Sequence, residues 1–182
     1  VNESAEYITR DLNTGRFDIF CGGITIPSRE IESKRLLQKG SNGIEFFTSQ
    51  VLYDATKVKK MLKYYDELCK VNSVLPRRIL LSFAPVSSKK NIDFLKWLGV
   101  EIPSQTEKRL ISDKKNMPSK SLEIASDILK DILNNNEELG ITVPVGLNVE
   151  HIMSYNFQSS INMLQELSRI YREFCIKTSL YD

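Results

Sequence analysis

Four short, largely apolar runs divide the chain, and they predict its strands. They span residues 17–27, 43–53, 77–86 and 141–152. Each is a nearly continuous apolar run rather than a strict alternation of apolar and polar residues. That pattern is typical of strands that are buried on both faces, as in a parallel sheet.

The longest segments around these runs, 54–71, 119–133 and 156–175, predict helices because their apolar residues recur at spacings of three and four, and shorter helices are expected beside them. Asp54 is the expected N-cap of the helix that follows the second run. Strands that alternate with helices predict βα units, so the fold class is α/β with a parallel sheet. The predicted helices are 29–39, 54–71, 88–98, 104–112, 119–133 and 156–175.

Four βα units are half of the number that closes a (β/α)8 TIM barrel. An isolated half would leave two unpaired strand edges and one uncovered face. Three arrangements remain open: an open sheet with helices on both faces, a half-barrel completed by a missing amino-terminal half, or a half-barrel completed by a second chain. We take residues 1–182 as a single domain, because either part of the chain has too few strands for its own core.

The charge balance argues against two classes of partner. The 182 residues include 25 basic and 23 acidic side chains, which leave a net charge of +2. A broad basic surface for nucleic acid or for an acidic membrane is therefore not expected. No apolar run approaches the roughly 20 residues of a membrane-spanning helix.

The three cysteines predict neither a disulfide framework nor a metal site. Cys21, Cys69 and Cys175 are far apart, and the chain has no CxxC motif. Reduced thiols in a cytoplasmic protein are the simplest interpretation. The amino-terminal segment does not have the pattern of a signal peptide, and its start at Val1 rather than Met suggests a fragment or a processed end.

Four segments carry a family resemblance through their order and spacing. They are GGITIP (22–27), KGSNGIEFFTSQVLYD (39–54), SFAPVSSKKNIDFLKWLGVEIP (82–103) and GLNVEHI (146–152). Together they resemble the carboxy-terminal half of the methylenetetrahydrofolate reductase barrel, strands five to eight, and most closely a divergent reductase-like branch. The resemblance extends over about residues 17–175.

The resemblance implies a flavin-dependent TIM barrel of one-carbon metabolism. In that family bound FAD passes a hydride from NAD(P)H to 5,10-methylenetetrahydrofolate and produces 5-methyltetrahydrofolate. Gln50 matches the glutamine that contacts the folate pterin, and Lys39 matches a lysine that contacts the flavin. Ile26 lies in the loop where the family has further flavin contacts, although an aromatic residue, a Pro-Glu step and a histidine are common there. The acidic catalytic residue of the family lies on the first strand, outside this chain.

The residues themselves support Gln50 as a candidate binding residue. It shares a strand face with Thr48 and lies at the carboxyl end of its strand, where barrel enzymes form their sites. Its amide offers both a donor and an acceptor, which suits the edge of a pterin. The alternative is a strand-end glutamine that caps a helix or faces water.

The fourth strand supplies two further candidates, Asn148 and Glu150. They are two residues apart and therefore share a face, so both can line a substrate site. His151 points to the opposite face from Glu150, which argues against a catalytic Glu–His dyad. No catalytic residue can be assigned from this chain.

For the remaining candidate residues, a structural role explains the sequence at least as well as a role in ligand binding. Lys39 could bind a cofactor phosphate or could simply end a helix at the favourable pole of its dipole. Trp97 lies at helical spacing from Phe94 and is expected to pack into the core or between its helix and the barrel. Gly22 and Gly23 fall inside a strand and indicate close packing.

The sequence therefore predicts a carboxy-terminal half-barrel that reduces a folate with FAD, completed by residues elsewhere. The first alternative is a reductase-like protein that binds a folate-like ligand without reductase activity. The second is a structural half-barrel that associates with itself, as a homo-oligomer, or with another chain.

Overall fold

The computed structural model describes residues 20–113 and 115–178, and its four strands lie close to the four apolar runs. They are β1 (Gly22–Thr25), β2 (Phe46–Ser49), β3 (Arg78–Phe83) and β4 (Val145–Val149). Each strand is shorter than its apolar run, because the runs extend into the loops at both ends. The beginning of the first run, residues 17–19, lies outside the described residues.

Six α-helices connect or follow the strands. The first three are α1 (Glu32–Ser41), α2 (Thr56–Val71) and α3 (Lys89–Trp97). The others are α4 (Ser104–Ile111), α5 (Met117–Glu138) and α6 (Phe157–Thr178), and a 3-10 turn at Ser154–Asn156 precedes α6. All six predicted helices are thus confirmed, although α5 is longer at its carboxyl end than the pattern indicated. No helix among the described residues is long and apolar enough to cross a membrane.

The strands form one parallel sheet in the order β1-β2-β3-β4. Gly22 pairs with Phe46, Thr48 pairs with Leu80, and Ser82 pairs with Asn148. This sequential parallel order, with a helical connection after each of the first three strands, confirms the α/β fold class. It is consistent with half of a TIM barrel.

One face of the sheet carries the hydrophobic core. Phe47, Ile79 and Leu81 point to this face and are completely buried. The helices supply the opposite side of the core through side chains such as Leu62 and Leu129, also completely buried. We call this the covered face, and its burial explains why the strands are so rich in apolar residues.

The other face of the sheet, which we call the open face, is only partly covered by the described residues. Ile24 is 67% exposed, and Phe20 is 68% exposed although its ring stacks on Phe46 at 5.2 Å. A side chain at Gly22 would overlap the Phe46 ring, and the Cβ of one at Gly146 would lie 2.7 Å from Leu80. The missing side chains of Gly22 and Gly146 thus leave room for Phe46 and Leu80 to lie against the strand backbone. This confirms the close packing expected at Gly22.

Side chains occupy part of both sheet edges. At the β1 edge, the Lys39 ammonium donates to the Ile24 carbonyl at 2.7 Å, and the Ile26 amide donates to the Glu32 carboxylate at 3.0 Å. At the β4 edge, Tyr171 donates its hydroxyl hydrogen to the Val145 carbonyl at 2.8 Å. Such side-chain bonds satisfy backbone groups that a neighbouring strand would otherwise pair with.

Two local predictions were wrong. Ala55, not Asp54, is the N-cap of α2, and the Asp54 carboxylate instead accepts a hydrogen bond from the Thr56 hydroxyl at 3.0 Å. Trp97 is 79% exposed and does not pack into the core. Its ring stacks on Phe94 on the outward side of α3, because Ile92 and Leu95 occupy the buried side of this helix.

Candidate functional site

Polar side chains gather on the open face where the strands end. Ser82 and Asn148 are register partners on β3 and β4. Gln50 directly follows β2, two residues after the Thr48 that pairs with Leu80. Gln50 therefore lies at the level of Ser82, about 10 Å from Asn148 across two strand spacings. Gln50 and Asn148 therefore lie along the same rim of the sheet.

A serine determines how β2 ends. Ser49 points to the covered face and is 2% exposed. Its hydroxyl accepts a hydrogen bond from the Ser82 amide at 2.9 Å and donates to the Gln50 carbonyl at 2.9 Å. The hydroxyl oxygen thus replaces a backbone carbonyl in the ladder between β2 and β3. The chain resumes pairing when the Leu52 amide donates to the Ser82 carbonyl at 2.9 Å.

The side chains at the end of β4 form a small hydrogen-bonded group. The Asn148 amide donates to the Ser82 hydroxyl at 3.0 Å and to the Glu150 carboxylate at 3.5 Å. Asn148 and Glu150 do share a face, as their spacing predicted. Both are half-buried, so their remaining acceptor oxygens can be reached from solvent.

Glu150 also influences a buried tyrosine below the rim. Burial raises the pKa of Tyr53 well above its usual range, and the negative charge of Glu150 raises it further. The Tyr53 hydroxyl donates to the Ala84 carbonyl at 2.9 Å. Tyr53 therefore remains a neutral hydrogen-bond donor that ties the end of β2 to the end of β3.

A cleft of about 400 Å³ lies beside Gln50. Lys57 and Glu101 form an ion pair at its wall, with both side chains about half exposed. The Gln50 amide nitrogen donates to the Gly99 carbonyl at 3.1 Å. The cleft is lined by residues 27–28, 50–54, 57 and 101–104.

The residues expected to hold FAD are engaged within the chain. The Lys39 ammonium is bonded to Ile24 and the Ile26 amide to Glu32, at the β1 edge. Burial lowers the pKa of Lys39, while the nearby Glu32 carboxylate opposes this effect. Lys39 and Ile26 do not line the cleft beside Gln50. The Lys39 ammonium keeps two further hydrogens for a ligand, whereas the single amide hydrogen of Ile26 is taken by Glu32, so the described residues do not gather these two groups around one cleft.

Two residues of interest were not found from the sequence. Glu32 is 1% exposed, and its second carboxylate oxygen has no hydrogen-bond partner among the described residues. Gly99 contacts Gln50 across 49 positions of sequence. A glycine just after a helical pattern indicates a helix end, but this signal does not reveal which side chain its carbonyl will meet.

His151 takes no part in a dyad with Glu150. It is exposed, and its ring lies edge-on to Phe157 with the centroids 5.4 Å apart. Glu150 and His151 both follow the end of β4, and their side chains have separate surroundings.

Comparison with known proteins gives a structural match. No family model and no curated protein matches the chain. Among 61 matching chains of solved structures is an uncharacterized protein from Clostridium thermocellum that binds two copies of 5-methyl-5,6,7,8-tetrahydrofolic acid. It superposes with a TM-score of 0.78 at 25% sequence identity over 93% of this chain. The match spans 59% of the Clostridium chain.

Proposed function

We propose that this chain binds a reduced folate at the rim formed by Gln50, Asn148 and Glu150. The observation that carries the proposal is the similarity to the Clostridium protein, which binds a methylated tetrahydrofolate and shares this arrangement of strands and helices. Folate binding is the part of the family resemblance that this similarity supports.

The chemistry of the rim suits the pterin ring of a folate. A pterin edge presents N–H donors beside a carbonyl acceptor. The Gln50 amide oxygen accepts no hydrogen bond from a described residue, and the Glu150 carboxylate is a strong acceptor. Leu80, which is half-buried and lies two residues before Ser82 on the open face, supplies an apolar surface next to the rim. Few polar groups on an apolar surface are typical of small-molecule sites.

Membership in the methylenetetrahydrofolate reductase superfamily is the finer form of this proposal. The order of the four motifs supports it. Reduction through FAD, with NAD(P)H as the hydride donor, would also need the acidic residue that the family carries on its first strand. We therefore propose folate binding only, and assign no catalytic step to the residues of this chain.

We also propose that the site is completed by further βα units, in the same chain or in a partner. The open face presents exposed apolar residues such as Ile24, whereas parallel sheets are normally covered on both faces. The part of the Clostridium chain outside the match amounts to about two fifths of its length. This is enough for several βα units, because a barrel of eight such units has about 250 residues.

Calorimetric titration with 5-methyltetrahydrofolate tests the proposal, using the protein together with the βα units that complete its sheet, whether these lie in the same chain or in a partner. We expect saturable binding that Gln50→Ala weakens about tenfold, the effect of losing one well-made hydrogen bond. Gln38→Ala is the matched control, because Gln38 is exposed on α1 and its side chain makes no hydrogen bond within the described residues.

The titration contradicts the proposal if the wild-type protein does not bind, or if both glutamine variants bind equally well. A parallel titration with FAD separates the two forms of the proposal. Binding of FAD with a flavin absorption spectrum would support the reductase form, and binding of the folate alone would support a folate-binding protein without reductase activity.

A further inference from the structure

We propose that Gly99 is a positioning residue that orients the Gln50 amide for its ligand. This inference rests on the proposed folate site and names a specificity element within it. Gly99 itself does not line the cleft. It acts through Gln50, by the hydrogen bond between its carbonyl and the Gln50 amide nitrogen at 3.1 Å.

The Gly99 carbonyl determines which end of the Gln50 side-chain amide faces it. A backbone carbonyl can only accept hydrogen bonds, so the Gln50 side chain must turn its nitrogen toward Gly99. The amide oxygen is then directed elsewhere and accepts no hydrogen bond from the described residues. Gln50 is thereby set to present an acceptor, and the site favours ligand edges that carry N–H donors, as the 2-amino-4-oxo edge of a pterin does.

The position of this carbonyl follows from how α3 ends. The Gly99 amide donates to the Lys96 carbonyl at 2.9 Å, and the Val100 amide donates to the Leu95 carbonyl at 3.0 Å. This pair of bonds is the Schellman motif, which places the residue after the C-cap in the left-handed region. Gly99 has φ +83°, a conformation that glycine adopts without steric cost.

The segment that follows Gly99 is anchored by buried side chains and by a hydrogen bond to the loop after β2. Val100 and Ile102 are buried in the core. The Thr106 hydroxyl donates to the Tyr53 carbonyl at 3.3 Å, which joins α4 to the loop after β2. Because these anchors are independent of Gly99, a change in its backbone conformation moves the carbonyl without releasing the whole segment.

Substitution of Gly99 tests the backbone effect alone. A Cβ at this position would meet no atom within 4 Å, so Gly99→Ala introduces conformational strain without a clash. We expect Gly99→Ala to weaken 5-methyltetrahydrofolate binding about tenfold, the equivalent of one hydrogen bond. Gly99→Asn should bind nearly as the wild type does, because asparagine tolerates the left-handed region.

Gly140 provides a matched control. It follows the C-cap of α5 with φ +58°, and its added Cβ would also meet nothing within 4 Å. Its amide donates to the Glu137 carbonyl at 3.2 Å and the Ile141 amide to the Asn136 carbonyl at 2.9 Å, which is the same motif. Gly140→Ala should therefore lower stability about as much as Gly99→Ala and leave folate affinity unchanged.

A double variant separates positioning from a general structural effect. In the Gln50→Ala background, Gly99→Ala should cause no further loss of affinity, because there is no amide left to orient. An equal loss in both backgrounds, or no loss in either, would overturn the inference while leaving folate binding intact. Failure of the wild-type protein to bind would instead refute the proposed function.

A measurement without ligand tests the contact directly. In nuclear magnetic resonance spectra, the side-chain NH2 signals of Gln50 are identified by their absence from the Gln50→Ala variant. One of the two hydrogens should show a downfield, hydrogen-bonded shift that is lost in Gly99→Ala and kept in Gly140→Ala. An unchanged shift in Gly99→Ala would refute the contact whether or not a folate binds.

Discussion

The two faces of the sheet differ in what their side chains do. The covered face consists of apolar residues in contact with the helices, including Phe47 and Leu81, both completely buried. The open face combines exposed apolar residues with a polar rim at the strand ends, where Gln50 and Asn148 lie. The comparison indicates that the covered face provides most of the stability of the chain, whereas the open face is available for binding.

The adjacent residues Phe46 and Phe47 give the strongest test of this difference. Phe47→Ala should lower the free energy of unfolding by about 3–5 kcal/mol, because it leaves a cavity in a fully packed core. Phe46→Ala on the open face should lower it by about 1 kcal/mol, because its ring is only half-buried. Urea unfolding followed by circular dichroism measures both, and equal losses would refute the assignment of the two faces.

The buried carboxylate of Asp66, on the helical side of the core, sharpens the comparison through its lowered pKa. Burial acts to raise the pKa of Asp66, but the Lys70 ammonium at 2.5 Å and hydrogen bonds from Thr142 outweigh it and hold the pKa below its usual range. A lowered pKa in the folded state stabilises the protein above about pH 4, the ordinary pKa of an aspartate. This contribution is lost as the pH falls through the lower pKa of the folded protein.

Asp66→Asn should therefore reduce stability at pH 7 and flatten the stability profile on the acidic side of pH 4. Glu150→Gln, at the rim, should leave stability at pH 7 within about 0.5 kcal/mol and instead weaken folate binding. Thermal unfolding between pH 3 and pH 7, with titration at pH 7, distinguishes the two. A steeper acid dependence in Asp66→Asn than in the wild type would show that the sign is wrong.

The smallest expected effect comes from the exposed apolar part of the open face. Ile24→Ser should change the free energy of unfolding by no more than about 0.5 kcal/mol, because this side chain is 67% exposed. If further βα units cover this face, the same substitution should weaken their association, which sedimentation or a pull-down between separately expressed halves measures. A large loss of stability in the isolated chain would show that the open face already belongs to its core.

The strands and helices were predictable because each one depends on a local pattern. The apolar runs correspond to β1 through β4, and the spacing of three and four identifies the three longest helices, α2, α5 and α6. The two local predictions that were wrong, the N-cap of α2 and the packing of Trp97, depend on contacts with other parts of the structure. Trp97 has the helical spacing of a core residue, but α3 is short and Ile92 and Leu95 already fill its buried side. The pattern could not show which side of this helix faces the core.

The candidate site was predictable only in part. The end of the second apolar run placed Gln50 at a rim, and the spacing of two placed Asn148 and Glu150 on one face. The partners of these residues come from distant parts of the chain. Gln50 meets Gly99, and Asn148 meets Ser82, at separations of 49 and 66 positions. No local pattern encodes such a contact.

The sequence alone determined which residues form strands, which form helices, and which side chains share a strand face, because these properties follow from periods of two and 3.6 residues. Only the tertiary structure decided which face of the sheet the helices cover. It also decided that Ser49 replaces a backbone acceptor between β2 and β3, and that the Gly99 carbonyl orients Gln50. These features depend on the register of neighbouring strands and on the packing of α3, which bring together groups that are far apart in the chain.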